Sequence, residues 1–181
     1  MEIMGNNGVN LRTVDESDAD FIFKLRTDSD LNRHISSTTG TVEDQIAFIK
    51  KYKEKELQKL EYYFIIEYNE KSVGTVRLYN IDYDKSNFTW GSWIIERGNP
   101  GEVALSSAYM SYNFGFEYLG LQKALIDVRK DNKKAFELYS VYCNFLYEDD
   151  LNYYLDFNKS DMNRYVDKFK NRIPSGIVYV K

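Results

Sequence analysis

The sequence predicts a single mixed α/β domain built on a mostly antiparallel sheet. Three strand-like runs, "YYFIIEY", "SVGTVRLYNIDY" and "NFTWGSWIIE", follow one another with only "NEK" and "DKS" between them. Short polar connections of this kind join antiparallel neighbours, so the three runs predict a meander. Helical patterns stand before and after the meander, and a length of 181 residues is typical of one domain with its own core.

The part of the chain before the meander predicts one strand and two helices. "VNLRTV" (residues 9–14) has the pattern of a short strand. Residues 15–28 begin with acidic side chains and carry apolar ones at helical spacing, which predicts an amphipathic helix. Thr41 can cap the second helix, and Asp44, three residues on, completes a near capping box.

The part after the meander alternates helices and strands. Residues 102–118 predict a helix, 123–130 a strand, and 131–142 a helix opened by Asp131 or Asn132. Two short strands follow over 143–150 and 151–157, then a helix over 161–170 and an extended tail. We expect one domain over residues 1–181, with a core of about 11–157 and a C-terminal helix and tail over 158–181.

Composition excludes several classes of function. A net charge of −4 gives no general attraction to nucleic acid or to anionic membranes. The single cysteine, Cys143, rules out an intrachain disulfide framework, and no apolar run reaches the roughly 20 residues that span a bilayer. One histidine and scattered acids predict no metal site. We expect a cytoplasmic protein, monomeric or homodimeric, that acts on a small molecule.

A glycine-rich hinge precedes the third predicted helix. "ERGNPGEVA" places Gly98, Pro100 and Gly101 directly before that helix. The hinge is either a simple turn or a stretch of bare backbone that lets an anion approach the amides of the helix N-terminus.

A second motif lies in the fourth predicted helix. "NKKAFELY" fits the pattern Asn-x-x-Ala-x-x-Leu-Tyr through Asn132, Ala135, Leu138 and Tyr139. With the hinge and the order of elements, this motif resembles the GNAT superfamily of N-acetyltransferases, in the branch with amino-sugar and ribosomal-protein enzymes. The resemblance implies a sheet that splays between the fourth and fifth predicted strands, with helices on both faces.

The resemblance also implies acetyl-CoA as cosubstrate. The pyrophosphate is expected on the amides of the hinge, and the pantetheine arm along the fourth predicted strand. The cofactor-binding positions that it implies are Ile94, Ile95, Glu96, Arg97, Gly98, Asn99, Gly101, Glu102, Val103, Asn132 and Ala135.

Tyr139 is the candidate catalytic acid. Amine acetylation needs a proton for the departing thiolate of CoA, and a phenol can supply one. The alternative is that Tyr139 is one more core aromatic on the stripe with Ala135 and Tyr142.

The general base and the acceptor site are less defined. Asp82 and Asp84 lie just before the fourth predicted strand, and Asp127 lies on the fifth. No dedicated base is needed if a water relay accepts the proton or the amine loses it spontaneously. The candidate acceptor-binding residues are His34, Arg77, Tyr79 and Trp90. Among them, His34 is alternatively a plain loop residue and Trp90 a core residue.

The predicted reaction is acetyl transfer from acetyl-CoA to a primary amine in a ternary complex. A nucleotide-linked amino sugar is the expected acceptor, by resemblance. A protein N-terminus and a non-catalytic CoA-binding module are the alternatives.

Overall fold

The computed structural model describes residues 1–31 and 40–180, which form a nine-stranded sheet with five α-helices. The strands are β1 (Glu2–Gly5), β2 (Val9–Thr13), β3 (Tyr62–Tyr68), β4 (Lys71–Asp82), β5 (Asn87–Ile95), β6 (Lys123–Arg129), β7 (Asn144–Glu148), β8 (Asn152–Asn158) and β9 (Ile177–Val180). The helices are α1 (Ala19–Thr27), α2 (Val42–Leu57), α3 (Gly101–Asn113), α4 (Lys133–Tyr139) and α5 (Met162–Phe169).

The sheet order is β7-β8-β6-β5-β4-β3-β2-β1-β9, and only the β5–β6 pair is parallel. The predicted meander is confirmed as β3, β4 and β5, each antiparallel to the next. The predicted class, a mixed and mostly antiparallel sheet with helices, is confirmed as well.

Local sequence signals set the helix boundaries. The Thr41 hydroxyl accepts from the Asp44 amide at 3.3 Å, and the Asp44 carboxylate accepts from the Thr41 amide at 2.9 Å. This capping box starts α2 where the sequence predicted. The helix predicted over 102–118 is instead α3 followed by a π-helical turn at Phe114–Tyr118.

The last two strands at one side of the sheet, β1 and the edge strand β9, lie outside the predicted core of 11–157. β9 pairs antiparallel with β1, and β1 pairs antiparallel with β2. The side chains of Ile3 and Tyr165 are buried in the same apolar cluster as the central strands. The terminal segments therefore complete the sheet and its core.

Helices cover both faces of the sheet. One face packs against α3 and α5 through a large cluster rich in aromatic rings, which includes Trp90, Tyr112 and Phe157. A smaller cluster on the other face joins α1 and α2 to β3 through residues such as Ile22, Tyr52 and Ile65. Many of the sixteen tyrosines are thus core residues.

β5 and β6 separate at the centre of the sheet. They pair only from Asn87 with Lys123 to Thr89 with Leu125, although both strands continue beyond this point. The splay predicted between the fourth and fifth predicted strands is therefore present between β5 and β6. It leaves the β6-facing backbone edge of β5 without a strand partner from Trp90 onward.

Candidate active site

A cleft of about 300 Å³ opens where β5 and β6 separate. Its walls come from β4, β5, β6, the end of α4 and the segment after α1. The residues that line it are Leu31, Tyr79, Trp90, Gly91, Ser92, Trp93, Ile126, Asp127, Val128, Arg129, Asn132 and Tyr139.

A β-bulge in β5 shapes one wall of the cleft. Thr75 pairs with Ile94 and Arg77 with Gly91, so one residue of β4 faces two of β5. Ser92 has a φ of 49°, and its carbonyl accepts from the Thr75 hydroxyl at 3.0 Å. Because a bulge bends its strand, it helps to carry β5 away from β6.

The bulge also brings two indoles together. Without it, residues three apart on a strand would point to opposite faces, but the rings of Trp90 and Trp93 lie 5.2 Å apart. Trp90 Nε1 donates to Ser111 Oγ at 2.9 Å, and Trp93 Nε1 donates to Ser107 Oγ at 3.2 Å. Serines one turn apart on α3 thus fix both rings against the cleft.

The hinge ends at an N-terminus of α3 that lacks a side-chain cap. Pro100 is the N-cap residue and provides no side-chain hydrogen bond. The first amides of a helix have no partner within the helix, so those of Gly101 and Glu102 face outward. The Glu102 amide contacts the carboxylate of its own side chain and lowers the pKa of that group. Gly98 has a φ of +87°, a conformation that favours glycine.

Val103 departs from its predicted role. Its amide donates to the Pro100 carbonyl at 3.0 Å and its side chain is fully buried. The amide therefore closes the first turn and is not available to a phosphate, contrary to the expectation from the motif. The bare stretch of backbone ends at Glu102.

Arg172 reaches the same helix N-terminus from the segment after α5. Its Nε lies 3.0 Å from Glu102 Oε1, and its Nη2 would lie only 2.6 Å from a β-carbon added at Gly101. Glycine at 101 therefore leaves room for the guanidinium. No local pattern predicts this contact, because Arg172 lies about seventy positions away from the hinge.

Two other polar residues of the hinge, Arg97 and Asn99, already have ion-pair or hydrogen-bond partners. Arg97 forms an ion pair with Asp30 at 3.1 Å, which joins the hinge to the segment after α1. Asn99 Nδ2 donates to the Glu96 carbonyl at 2.9 Å. The backbone of Ile94 and Ile95 pairs with β4, so the strand offers only its other edge to the cleft.

Asn132 and Tyr139 lie at opposite ends of α4. Asn132 caps the helix by accepting from the Ala135 amide at 3.2 Å, and its side chain lines the cleft. Tyr139 packs edge-on against Trp90 with ring centroids 6.0 Å apart. The motif therefore places both residues at the cleft, although Tyr139 is also part of the core.

The surroundings of Tyr139 keep it protonated. Burial raises the pKa of its hydroxyl well above the usual value of 10.0, and the nearby Cys143 and Asp127 add to the effect. The hydroxyl hydrogen-bonds to no described residue. The hydroxyl is thus protonated at neutral pH.

A second cavity, of about 410 Å³, adjoins the cleft. Its walls come from β4 to β8. Tyr79, Thr89 and Leu125 alternate along their strands with the buried residues that pack on α3, so the cavity lies on the sheet face away from α3. The residues that line it are Tyr79, Asn80, Thr89, Leu125, Ile126, Asp127, Leu146, Tyr147, Tyr154 and Leu155.

The structure does not bring the predicted acceptor-binding residues together in one cavity. Tyr79 lines both cavities, whereas Trp90 lines only the cleft. The Arg77 guanidinium pairs with the buried carboxylate of Glu61 and lies 5.0 Å from the Tyr79 ring centroid, so its charge is already compensated. His34 lies outside the described residues.

The three candidate carboxylates differ in whether they line the two cavities. Asp82 pairs with Lys85 at 2.9 Å, and neither Asp82 nor Asp84 lines the cleft or the second cavity, whereas Asp127 lines both. Cys143 is buried, and burial raises the pKa of its thiol, as for a cysteine that packs in the core.

Within residues 1–31 and 40–180, no group of three or more histidine, cysteine or acidic side chains is placed to hold a metal ion. No helix in these ranges has the length and apolar character needed to cross a membrane.

Residues 9–140 match the model of the GNAT acetyltransferase domain. The chain belongs to this family. The family includes acetyl-CoA-dependent N-acetyltransferases, and the chain is one of them. The resemblance drawn from the hinge and the α4 motif is confirmed.

Two similar proteins are described as an acetyltransferase or as a GNAT. FdhC, described as a nucleotide-linked sugar GNAT, is 36% identical in its apo structure, with 91% of this chain and 94% of that chain covered and a TM-score of 0.82. Acetyltransferase PseH of Campylobacter jejuni subsp. jejuni serotype O:23/36 (strain 81-176) is 24% identical over 145 residues, which are 80% of this GNAT chain and 88% of PseH.

A third structure supports the fold alone. Mycobacterium smegmatis RimJ in complex with CoA-disulfide is 16% identical, covers 93% of each chain and has a TM-score of 0.77. The nine-stranded sheet with its separated parallel pair is therefore a GNAT architecture.

Proposed function

We propose that this GNAT enzyme transfers an acetyl group from acetyl-CoA to the primary amine of a nucleotide-linked amino sugar. The observation that carries the proposal is the junction of two cavities at the separated strands. Tyr79, Ile126 and Asp127 line both of them. A thioester in one cavity and an amine in the other would meet there, which favours direct attack over a covalent enzyme intermediate.

The cleft and the hinge suit acetyl-CoA. The free edge of β5 beyond Thr89 offers backbone groups to the amides of the pantetheine arm, as an added strand would. The outward amides of Gly101 and Glu102, with Arg172 beside them, suit the pyrophosphate. Asn132 lines the cleft between these two regions and adds a polar contact.

Tyr139 provides the proton for the leaving group. The amine nitrogen forms a bond to the acetyl carbon as the carbon–sulfur bond breaks, and the CoA thiolate takes the phenolic proton. Because burial holds the pKa of Tyr139 above its usual value, the donor is fully protonated at neutral pH. The two indoles of Trp90 and Trp93 exclude water from that side.

The second cavity suits a nucleotide-linked sugar. Its outer wall carries the exposed Tyr147, which stacks on Tyr154 with ring centroids 4.4 Å apart. Such a wall can accept a nucleobase by stacking, while the sugar amine reaches the junction. The similarity to FdhC, a nucleotide-linked sugar GNAT, supports the same acceptor class.

The test is the rate of CoA release with a panel of acceptors. We expect kcat/KM for a nucleotide-linked amino sugar to exceed that for the free amino sugar by about 100-fold or more, since base stacking and phosphate contacts each contribute binding energy. The panel includes peptides with a free N-terminus. Preference for a peptide would refute the sugar acceptor, and binding of acetyl-CoA in calorimetry without turnover of any amine would indicate a non-catalytic module.

A further inference from the structure

The junction of the two cavities contains one charged side chain. Of the three residues that line both cavities, Tyr79 and Ile126 are neutral, and only Asp127 carries a charge. Asp127 lies on β6 two residues beyond Leu125, the last residue that pairs with β5. The separation of the strands therefore exposes this carboxylate to both cavities.

The carboxylate of Asp127 is not used by the fold. Asp127 is exposed and makes no hydrogen bond or ion pair with any described residue. The two cations nearest in the strands have other acidic partners: Arg77 pairs with Glu61, and Arg129 Nε lies 3.2 Å from Asp131 Oδ1. An unpaired carboxylate between two cavities favours a cationic ligand.

Asp127 is also electrostatically close to the two hydroxyls at the junction. Its negative charge contributes to the raised pKa of both Tyr79 and Tyr139. The hydroxyl of Tyr139 and the carboxylate of Asp127 therefore both lie near the point where the amine and the thioester would meet.

We propose that the Asp127 carboxylate binds the ammonium group of the acceptor and holds its nitrogen toward the thioester. It thereby selects amines over hydroxyl compounds of the same shape. The inference rests on the proposed use of both cavities, and it applies equally to a sugar amine and to a peptide amine.

The reaction balances with this assignment. The bound ammonium gives one proton to water in the open cavity, and the free amine attacks the thioester carbon. As the carbon–sulfur bond breaks, the thiolate takes the proton of Tyr139, and the extra proton on the new amide nitrogen passes to Asp127. Solvent then restores both side chains, with a net release of one proton for each ammonium acetylated.

The test compares ligand pairs that differ only at the amine. UDP-glucosamine and UDP-glucose form one pair, and a short peptide with a free N-terminus and its N-acetylated form make the second. Calorimetry with CoA-saturated enzyme measures each affinity for the wild type, for Asp127→Asn and for Asp84→Asn. Asp84 is the matched control, since it is an exposed aspartate in the β4–β5 turn that lines neither cavity.

We expect the wild type to prefer the amine member of at least one pair by about tenfold or more, as for a hydrogen bond to a charged group. Asp127→Asn should reduce this ratio to about one with an unchanged melting temperature, and Asp84→Asn should preserve it. A ratio that survives in Asp127→Asn, or no preference by the wild type in either pair, would overturn the proposal. Binding of the peptide pair alone would refute the nucleotide-linked acceptor and leave the role of Asp127 supported.

Discussion

Replacement of Tyr139 by phenylalanine isolates the role of a single hydroxyl. The ring stays, with its edge-on contact to Trp90 at 6.0 Å and its tilted contact to Trp93 at 6.4 Å. Because the hydroxyl hydrogen-bonds to no described residue, the folded state loses no bond. The free energy of unfolding should therefore change by less than about 1 kcal/mol.

The catalytic effect should be much larger than the structural one. Loss of a positioned acid lowers kcat by on the order of 10²-fold, which corresponds to about 2.7 kcal/mol in the barrier. The KM for acetyl-CoA should stay within about threefold, since the variant keeps the walls of the cleft. Continuous detection of the released thiol at saturating substrate measures kcat, and a thermal melt of the same preparation measures stability.

Tyr142→Phe is the matched control. Tyr142 lies three residues further on, is completely buried among Tyr112, Phe157 and Tyr165, and does not line the cleft. This variant should leave kcat unchanged. A full-rate Tyr139→Phe enzyme would refute the acid role, and a raised KM with unchanged kcat would instead assign the hydroxyl to cofactor binding.

Further predictions concern the hinge, the α2 cap and pH. Gly101→Asp places a carboxylate where the pyrophosphate is proposed to bind, so the KM for acetyl-CoA should rise at least tenfold, about 1.4 kcal/mol, in initial-rate assays; an unchanged KM contradicts this placement. Arg172→Gln removes a cation from the same N-terminus and should raise that KM about three- to tenfold at constant kcat, with a weaker effect at high salt. Thr41→Ala deletes the α2 cap and should cost about 1 kcal/mol of unfolding free energy in urea titrations, without a change in KM. A raised pKa keeps Tyr139 protonated beyond the usual range, so a pH–rate profile should show no loss of kcat up to about pH 9; a decline near pH 8 would argue against it.

Periodicity and capping made most of the fold predictable. The apolar run in "YYFIIEY" and the Thr41–Asp44 box are local signals, and the elements that they predict begin at the expected residues. β1 was missed because "EIMG" is too short to show a period. The π-helical turn after α3 was missed because its apolar spacing does not differ from that of an α-helix over five residues.

The candidate site was less predictable because it depends on distant contacts. Asn132 and Tyr139 belong to one helix, so their spacing alone placed both at the cleft. Arg172 reaches the hinge from the segment after α5, and Asp127 meets both cavities because β5 and β6 stop pairing at Leu125. No local sequence pattern encodes either contact. The motif also does not predict the local bond at Val103, whose amide donates to the Pro100 carbonyl.

The serine-anchored indoles have a practical consequence. The chain has only two tryptophans, and both line the cleft. Their intrinsic fluorescence therefore reports on that cleft without a background from other tryptophans elsewhere in the molecule. A titration with CoA can be followed by a change in emission wavelength or intensity, with no label attached, and stopped-flow mixing extends the same signal to the kinetics of cosubstrate entry.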